Sequence, residues 1–423
     1  MLIRWFVLAV LFVSLIVNFV DKSILGLAAE PIMKDLGISF TQLGLIGSGF
    51  YWSFPIAAIL IGAFTDKLGS HRAISYMLLA WSIIQIAGGF FVSGFTTLFL
   101  YRSLLGISEG GFGPAAFKEM FVWFPQNMRG KAATIFNSGA WIGAFALTPL
   151  IVMFIQMAGW KHTFIYSGLI GLVVFFVWTV FVPKQNSNLE SDRQAGTPET
   201  KFKWSEFYPI LLSRTCILTL LASFGYFFLL TWMSVWMPLY LVKIAGLSAT
   251  QMGWASASIG GVMVITGLVF GVISDRIYKK THNLRTARVL IVGSGMSVGA
   301  LIITTLYLAH SPVWAVIAFG VGTGLASVIA SMSHIVMSHQ LPERTAVFSG
   351  IIVAVQNMAG IISPAITGYI IDIAGKGNVE QGFGNSLITV GSVLLFTSLL
   401  YLFVNPDKSL KSKEKIEPAM SNV

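Results

Sequence analysis

The chain has 423 residues, 55% hydrophobic and only 10% charged, with a formal net charge of +10. An average soluble domain is roughly 25% charged, so a soluble enzyme is excluded and lipid is left as the solvent for much of the surface. The single cysteine, Cys216, excludes an intramolecular disulfide and a Cys-based metal site. The histidines form no His-x-x-x-His or Cys/His cluster and no P-loop occurs, so neither a metal centre nor ATP-driven pumping has support.

In lipid every backbone group must be bonded within its own element, and about 20 apolar residues cross a bilayer as a helix. The first such run, 5–27, is too long for a signal-peptide core, and no small-residue cleavage site follows it, so it is read as a retained helix. Further spans are predicted at 42–65, 73–93, 96–118, 131–155, 163–183, 214–242, 248–274, 286–309, 312–338, 345–372 and 384–405. Twelve spans put both termini on one side. Lys and Arg choose that side as the cytoplasm. The inner segments then hold Arg4, Lys67, Arg72, Arg129, Lys131, Lys184, Arg193, Lys201, Lys203, Arg214, Arg276, Lys279, Lys280, Arg285, Arg288, Arg344 and four lysines after Pro406. The outer loops hold only Lys34, Lys161, Lys243 and Lys376. The positive balance thus follows membrane topology, and no nucleic-acid partner is expected.

The longest polar stretch, 184–207, reads as a flexible cytoplasmic linker. It divides the chain into a six-helix bundle at 1–183, a linker at 184–213, a second bundle at 214–405 and a cytoplasmic tail at 406–423. The bundles echo one another. "GAFTDK" (62–67) closes the second span and "GVISDR" (271–276) the eighth; "FPQNMRGKAA" with Arg129 follows the fourth and "LPERTAVFSG" with Arg344 the tenth. Parallel repeats of this kind bind substrate at their interface near the bilayer midplane.

These residues resemble the major facilitator superfamily over nearly the full length. "GAFTDKLGSHR" (62–72) is similar to the signature loop between helices two and three. Within the superfamily the chain resembles the anion:cation symporter family, through "NFVDKS" (18–23), "RSLLGISEGGFGPAAFKEMFVWFP" (102–125) and the Arg129 that follows. The resemblance implies an all-α membrane protein of two pseudo-symmetric six-helix bundles that moves an organic anion, such as a sugar acid or other carboxylate. Compact loops and short termini suggest a bacterial inner-membrane protein, and the resemblance implies a monomer in the lipid bilayer. No cofactor is expected; a proton is the coupling ion. Two positions depart from the family. Lys22 stands where Arg is usual and Phe54 where Tyr is common, so a bidentate guanidinium fork and a hydroxyl are missing.

Few ionisable residues lie well inside the predicted spans: Asp21, Lys22, Arg102 and Glu109. Buried charge in lipid costs several kcal/mol unless it is paired or faces water, and such residues default to function. At 1.5 Å rise per residue, Asp21 and Arg102 lie at matching depth, so they are expected to pair in at least one state. Glu109, two turns below Arg102, is expected in a more apolar setting. Lys22 points about 100° away from Asp21 and is the candidate counter-charge for a substrate carboxylate. A static salt bridge fixing helix packing is the alternative. With the resemblance, Glu109 and Asp21 are assigned to proton coupling and Lys22 and Arg102 to the anion.

Asn137, Gln356, Asn357 and Ser331, with Ser333 and His334 beside them, are candidates to hydrogen-bond a polyol anion, with helix–helix contact equally open. Tyr51, Trp52, Tyr226 and Trp232 read as packing or interfacial residues rather than cavity lining. Asp66 and Asp275 are expected to latch helices across the halves with Arg129 and Arg344. Pro55, Pro149, Pro238 and Pro364 are expected to kink helices.

The leading expectation is proton symport of an organic anion by alternating access. The alternative is a proton-coupled drug or metabolite antiporter, or a uniporter, of the same fold. Span five, "ATIFNSGAWIGAFALTPL", lacks the Gly-Pro pair of drug antiporters, and "FVPKQNSN" lacks the sugar-porter run after span six. No nucleophile–base pair supports an enzyme. The topology predicts that a cysteine placed at Gly377 reacts with an impermeant maleimide from the outer side alone; reaction from the cytoplasmic side overturns it.

Overall fold

The computed structural model describes residues 2–184, 204–308, 311–340, 345–375 and 377–406, excepting the side chains of residues 59, 63, 66, 204–207, 345 and 346. The described residues are helical and contain no strand. Among the described residues, ten helices are long and apolar enough to cross a membrane. Helix breaks account for two further crossings. Thr148–Phe181 turns at Gly159, whose φ of 83° suits a residue without Cβ, and so contains the end of one crossing and the whole of the next. The predicted fourth span is divided into Phe95–Glu109 and Phe112–Trp123. Pro114 has no N–H to offer the carbonyl of Gly110, which explains a break there.

The crossings are α1 (Leu2–Leu27), α2 (Phe40–Leu68), α3 (Ser70–Phe91) and α4 (Phe95–Glu109 with Phe112–Trp123). Next come α5, which starts as Gln126–Trp141, passes a π turn at Ile142–Ala146 and ends over 148–158, and α6 over 160–181. The later ones are α7 (Arg214–Lys243), α8 (Ala249–Thr281) and α9 (π turn Arg285–Leu290, then Ile291–Thr304). The last are α10 (Pro312–Ser327 with Ile329–Gln340), α11 (Thr345–Ile373) and α12 (Val379–Tyr401). Two short helices, Ala29–Leu36 and Trp204–Leu211, fall in segments read from sequence as loop and linker. The rest of the linker, 185–203, and the tail beyond Pro406 lie outside the described residues. Pro55, Pro238 and Pro364 lie inside unbroken helices, whereas Pro149 opens the helix that follows the π turn.

Within the first six crossings, α1 packs on α5, α2 on α4 and α3 on α6; within the last six, α7 packs on α11 and α12, and α8 on α10. The two groups meet along α2–α11, α5–α8 and α1–α7. Small residues set the closest approach. A Cβ on Gly44 would fall 2.3 Å from the carbonyl oxygen of Pro364, so only glycine lets the α2 and α11 backbones touch. Ser48 donates to the carbonyl of Ile361 at 2.6 Å and Thr148 to that of Gly253 at 2.8 Å. At the tip, the Asp372 carboxylate of α11 accepts the backbone N–H groups of Phe40 (3.3 Å) and Thr41 (2.7 Å). These are free donors at the positive end of α2, where an anion is favoured. Lys243 pairs with Glu30 at the same end.

The cross-half bonds seen among the described residues thus cluster where the 37–39 and 244–248 turns lie. The sequence placed latches at the opposite end, where the side chains of two of the four residues are described. Arg129 donates to the carbonyls of Phe124 (3.2 Å) and Phe121 (2.9 Å), closing the C-terminal turn of its neighbour α4. Asp275 pairs with Arg288 at 2.6 Å, inside its own half. The side chain of Asp66, and Arg344, lie outside the described residues.

The Asp372 contact is an N-cap supplied by another helix, and caps contribute about 0.5–2 kcal/mol. Asp372→Ala is expected to enlarge the population open at this end. In a Cys216→Ala background, spin labels at Lys34 and Gly377 report it as a longer-distance component, while an unchanged distance distribution removes Asp372 from the closure.

Candidate functional site

The four intramembrane charges converge. Asp21, Arg102 and Glu109 are 1%, 4% and 1% exposed. They come from α1 and from the Phe95–Glu109 segment of α4, whose apolar neighbours bury them. The sequence expectation is an Asp21–Arg102 pair in at least one state. In this conformation Asp21 accepts a hydrogen bond from the hydroxyl of Ser167 on α6 instead. Lys22 instead reaches Glu109, Nζ to Oε2 3.4 Å, and donates to Asn18 Oδ1 at 2.7 Å. The physical reason lies in helix geometry. Side chains lean toward the helix N-terminus, so the long Lys22 stem runs back over Asn18 and brings the ammonium down to the depth of Glu109.

Three rings surround that ammonium: Phe19 at 4.5 Å, Phe50 at 5.2 Å and Phe54 at 5.3 Å from the ring centres. Ring faces attract a cation without offering it a counter-charge. The Arg102 guanidinium also lies over Phe50, at 5.3 Å. Phe50 therefore lies close to both cations. Lys22 keeps 21% of its side chain exposed while Glu109 keeps none, so the ammonium is the accessible member of the pair.

Three members retain unsatisfied atoms. Asp21 Oδ2, Arg102 Nε and both carboxylate oxygens of Glu109 are buried and have no hydrogen-bond partner among the described residues. Buried polar groups are normally satisfied, and each exception calls for an account. Beside Arg102, Tyr101 donates to Gln85 of α3 and stacks on Phe164 of α6 at 5.1 Å, which fixes this stretch of α4 against both helices.

The other sequence candidates are scattered. Gln356 and Asn357 of α11 are buried, and Asn357 donates to the carbonyl of Val353 on its own helix at 2.8 Å. Ser331 and Asn137 are exposed. Ser333 bonds back to Ala330 and His334 meets Ser349 at 3.0 Å. Tyr226 and Trp232 are core residues of the second half, and Trp52 is exposed. Tyr51 spans the halves: its ring fills the space over Gly360 of α11. Asn18, Ser167, Phe19 and Phe50 were not singled out from sequence. The four-residue spacing of Asn18 and Lys22 is a legible helix-face signal. Ser167, in the apolar run "YSGLIG" (166–171), carries none.

A helical membrane protein with two facing six-crossing groups and paired charges between apolar helices is a transporter by class, not an enzyme. The family model described as Major Facilitator Superfamily matches residues 11–339, and the chain belongs to that superfamily. It is 28% identical to a protein of Bacillus subtilis (strain 168) named a probable galactarate/D-glucarate transporter, across 98% of this chain and 94% of that one. It is 29% identical to the hexuronate transporter of the same organism, across 95% and 94%. The D-galactonate transporter of Escherichia coli O6:H1 is 25% identical, across 96% of each chain. In fold it matches a bacterial homologue of the human lysosomal transporter Spinster with a TM-score of 0.77 at 16% identity, across 95% of this chain and 97% of that one. It matches a D-xylose–proton symporter at 0.75 and 16%, across 95% and 98%.

The Lys22–Glu109 contact predicts energetic coupling of roughly 0.5–3 kcal/mol. A double-mutant cycle of Lys22→Met and Glu109→Gln, read from unfolding equilibria in mixed micelles, is expected to show the double variant less destabilised than the sum. Strict additivity dissolves the pair.

Proposed function

We propose that this protein imports an organic anion, a sugar acid or related carboxylate, together with a proton by alternating access. The observation that supports this most directly is the accessible, ring-lined Lys22 ammonium held by a fully buried Glu109. Two cations and two carboxylates make a formally neutral set in an interior that solvates charge poorly. A substrate carboxylate that takes Lys22 displaces Glu109, and an unpaired buried carboxylate costs several kcal/mol. A proton on Glu109 removes that cost, so anion and proton enter as a pair. Asp21 is the second proton acceptor, and Arg102 the second cation for the anion. Similarity to galactarate/glucarate, hexuronate and galactonate transporters supports the carboxylate class.

Lys22 presents one compact charge where a guanidinium would present a planar fork. With three phenylalanine rings beside it, the site favours an anion bound through one carboxylate oxygen. Asn137 of α5, Ser331 of α10, and Gln356 and Asn357 of α11 remain the proposed hydrogen-bonding partners. No cofactor is required. With the cytoplasmic termini that the Lys and Arg distribution predicts, the closed end faces outward and this conformation is the one that releases substrate inside. The bacterial inner membrane is the proposed site of action, and a monomer the proposed unit.

Glu109→Gln mimics the protonated state permanently. In reconstituted vesicles it is expected to retain counterflow of labelled sugar acid and lose accumulation driven by a pH gradient. Arg102→Ala is expected to lose both. Accumulation at the wild-type level in Glu109→Gln moves the coupling proton to another group, whereas loss of counterflow as well makes Glu109 a binding or structural residue.

A further inference from the structure

The unmatched atoms of the charge cluster point to a residue that the transport reading leaves out. Asp21 is held by one partner, the Ser167 hydroxyl, through Oδ1, while Oδ2 has no partner among the described residues. Arg102, the cation expected to pair with Asp21, has its Nε unmatched on the adjacent helix. Both residues are more than nine-tenths buried. Each has an empty hydrogen-bonding position in the interior, and the two lie on helices that face one another.

Ser167 is a fixed point in this arrangement. One residue on, a Cβ at Gly168 would fall 2.8 Å from the carbonyl of Ser82, and at Gly171 one would fall 2.3 Å from the Ser82 hydroxyl. The α6 backbone is therefore pressed onto α3 just where Ser167 projects, and at that level it has little freedom to slide. Phe164, one turn earlier on the same face, stacks on Tyr101 next to Arg102. Ser167 is itself 6% exposed. Asp21 thus meets a donor on a closely packed helix, while the Arg102 guanidinium lies over Phe50.

A hydroxyl is suited to this place by its chemistry. It donates to an ionised carboxylate, and it accepts from or donates to a protonated one. Asp21 therefore keeps a satisfied partner in either protonation state, whereas Arg102 serves only the ionised state. We infer that Ser167 is a positioning residue for proton coupling, holding Asp21 while Arg102 is engaged elsewhere and keeping the buried carboxyl satisfied as its proton comes and goes. Arg102 is then free to meet the substrate anion in this conformation and returns to Asp21 when the anion has left. The groups facing Asp21 are Lys22 on its own helix, Arg102, Glu109 and Tyr101 on α4, and Ser167 on α6. Ser167 alone among them is a small neutral donor and acceptor fixed to another helix pair. This inference rests on the proton-symport reading.

The test is the pH dependence of sugar-acid uptake in vesicles, with counterflow at fixed pH measured on the same preparations. Ser167→Ala removes the donor that favours the ionised form. A hydrogen bond to a charged group is worth roughly tenfold in an equilibrium constant, so the midpoint of the uptake profile is expected to move upward by roughly one pH unit while counterflow persists. Ser167→Thr keeps the hydroxyl and is expected to restore the wild-type profile. Should Ser167→Ala fail to reach the membrane, Ser167→Cys, a weak donor of similar size, is expected to shift the profile in the same direction. A wild-type profile in the alanine or cysteine variant overturns the inference. So does a threonine variant displaced as far as alanine, which would make the effect one of packing. A wild-type protein with no pH-driven accumulation overturns the symport reading itself, and this inference with it.

Discussion

Charge buried between apolar helices has to be balanced on the spot, and the centre of this protein is organised around that requirement. Asp21, Lys22, Arg102 and Glu109 sum to zero. No member gives up its partner without another group, a proton or an incoming anion taking its place. Lys22 holds Glu109 and Ser167 holds Asp21, while Arg102 rests over the ring of Phe50. Balance alone makes the cluster responsive, because any added anion unbalances it by one charge. A charge imbalance that a proton can correct is the basis of the symport proposed for this chain.

The scaffold serves the same constraint at larger scale. Helices in lipid gain nothing from the hydrophobic effect against one another, so close backbone approach and buried hydrogen bonds hold them. Gly44 against Pro364, Ser48 on Ile361 and Thr148 on Gly253 seal one end between the halves. These contacts are short-range and few polar groups are committed to them, which suits an interface that opens and closes. The breaks in α4 and α5 lie in the helices that carry or flank the charge cluster. The break in α4 follows directly after Glu109, and the π turn of α5 packs on both α1 and α8. Interruptions of this kind are frequent at functional positions in helices.

Much of the architecture was legible beforehand. Apolar runs separated by short polar turns read as crossings because lipid tolerates little else. Where prediction and structure part, one residue usually explains it. Pro114 interrupts a run that hydropathy alone treats as continuous. Gly159 turns the chain within a single residue, so α5 and α6 follow each other with almost no loop. At the end where the sequence placed latches, Arg129 and Asp275 find partners within their own halves in this conformation.

For the site, the sequence by itself determined which residues are charged in the interior and that they sit on α1 and α4, because hydropathy and helical rise depend only on order along the chain. It also determined that the chain is a membrane protein built of two related groups of crossings. Which charge meets which was decided by the tertiary structure alone. Lys22 reaches Glu109 because its side chain leans back along α1, and Asp21 meets Ser167 because α6 is pressed onto α3 beside it. Both outcomes depend on the rotation and separation of neighbouring helices, quantities fixed by packing among residues far apart in sequence.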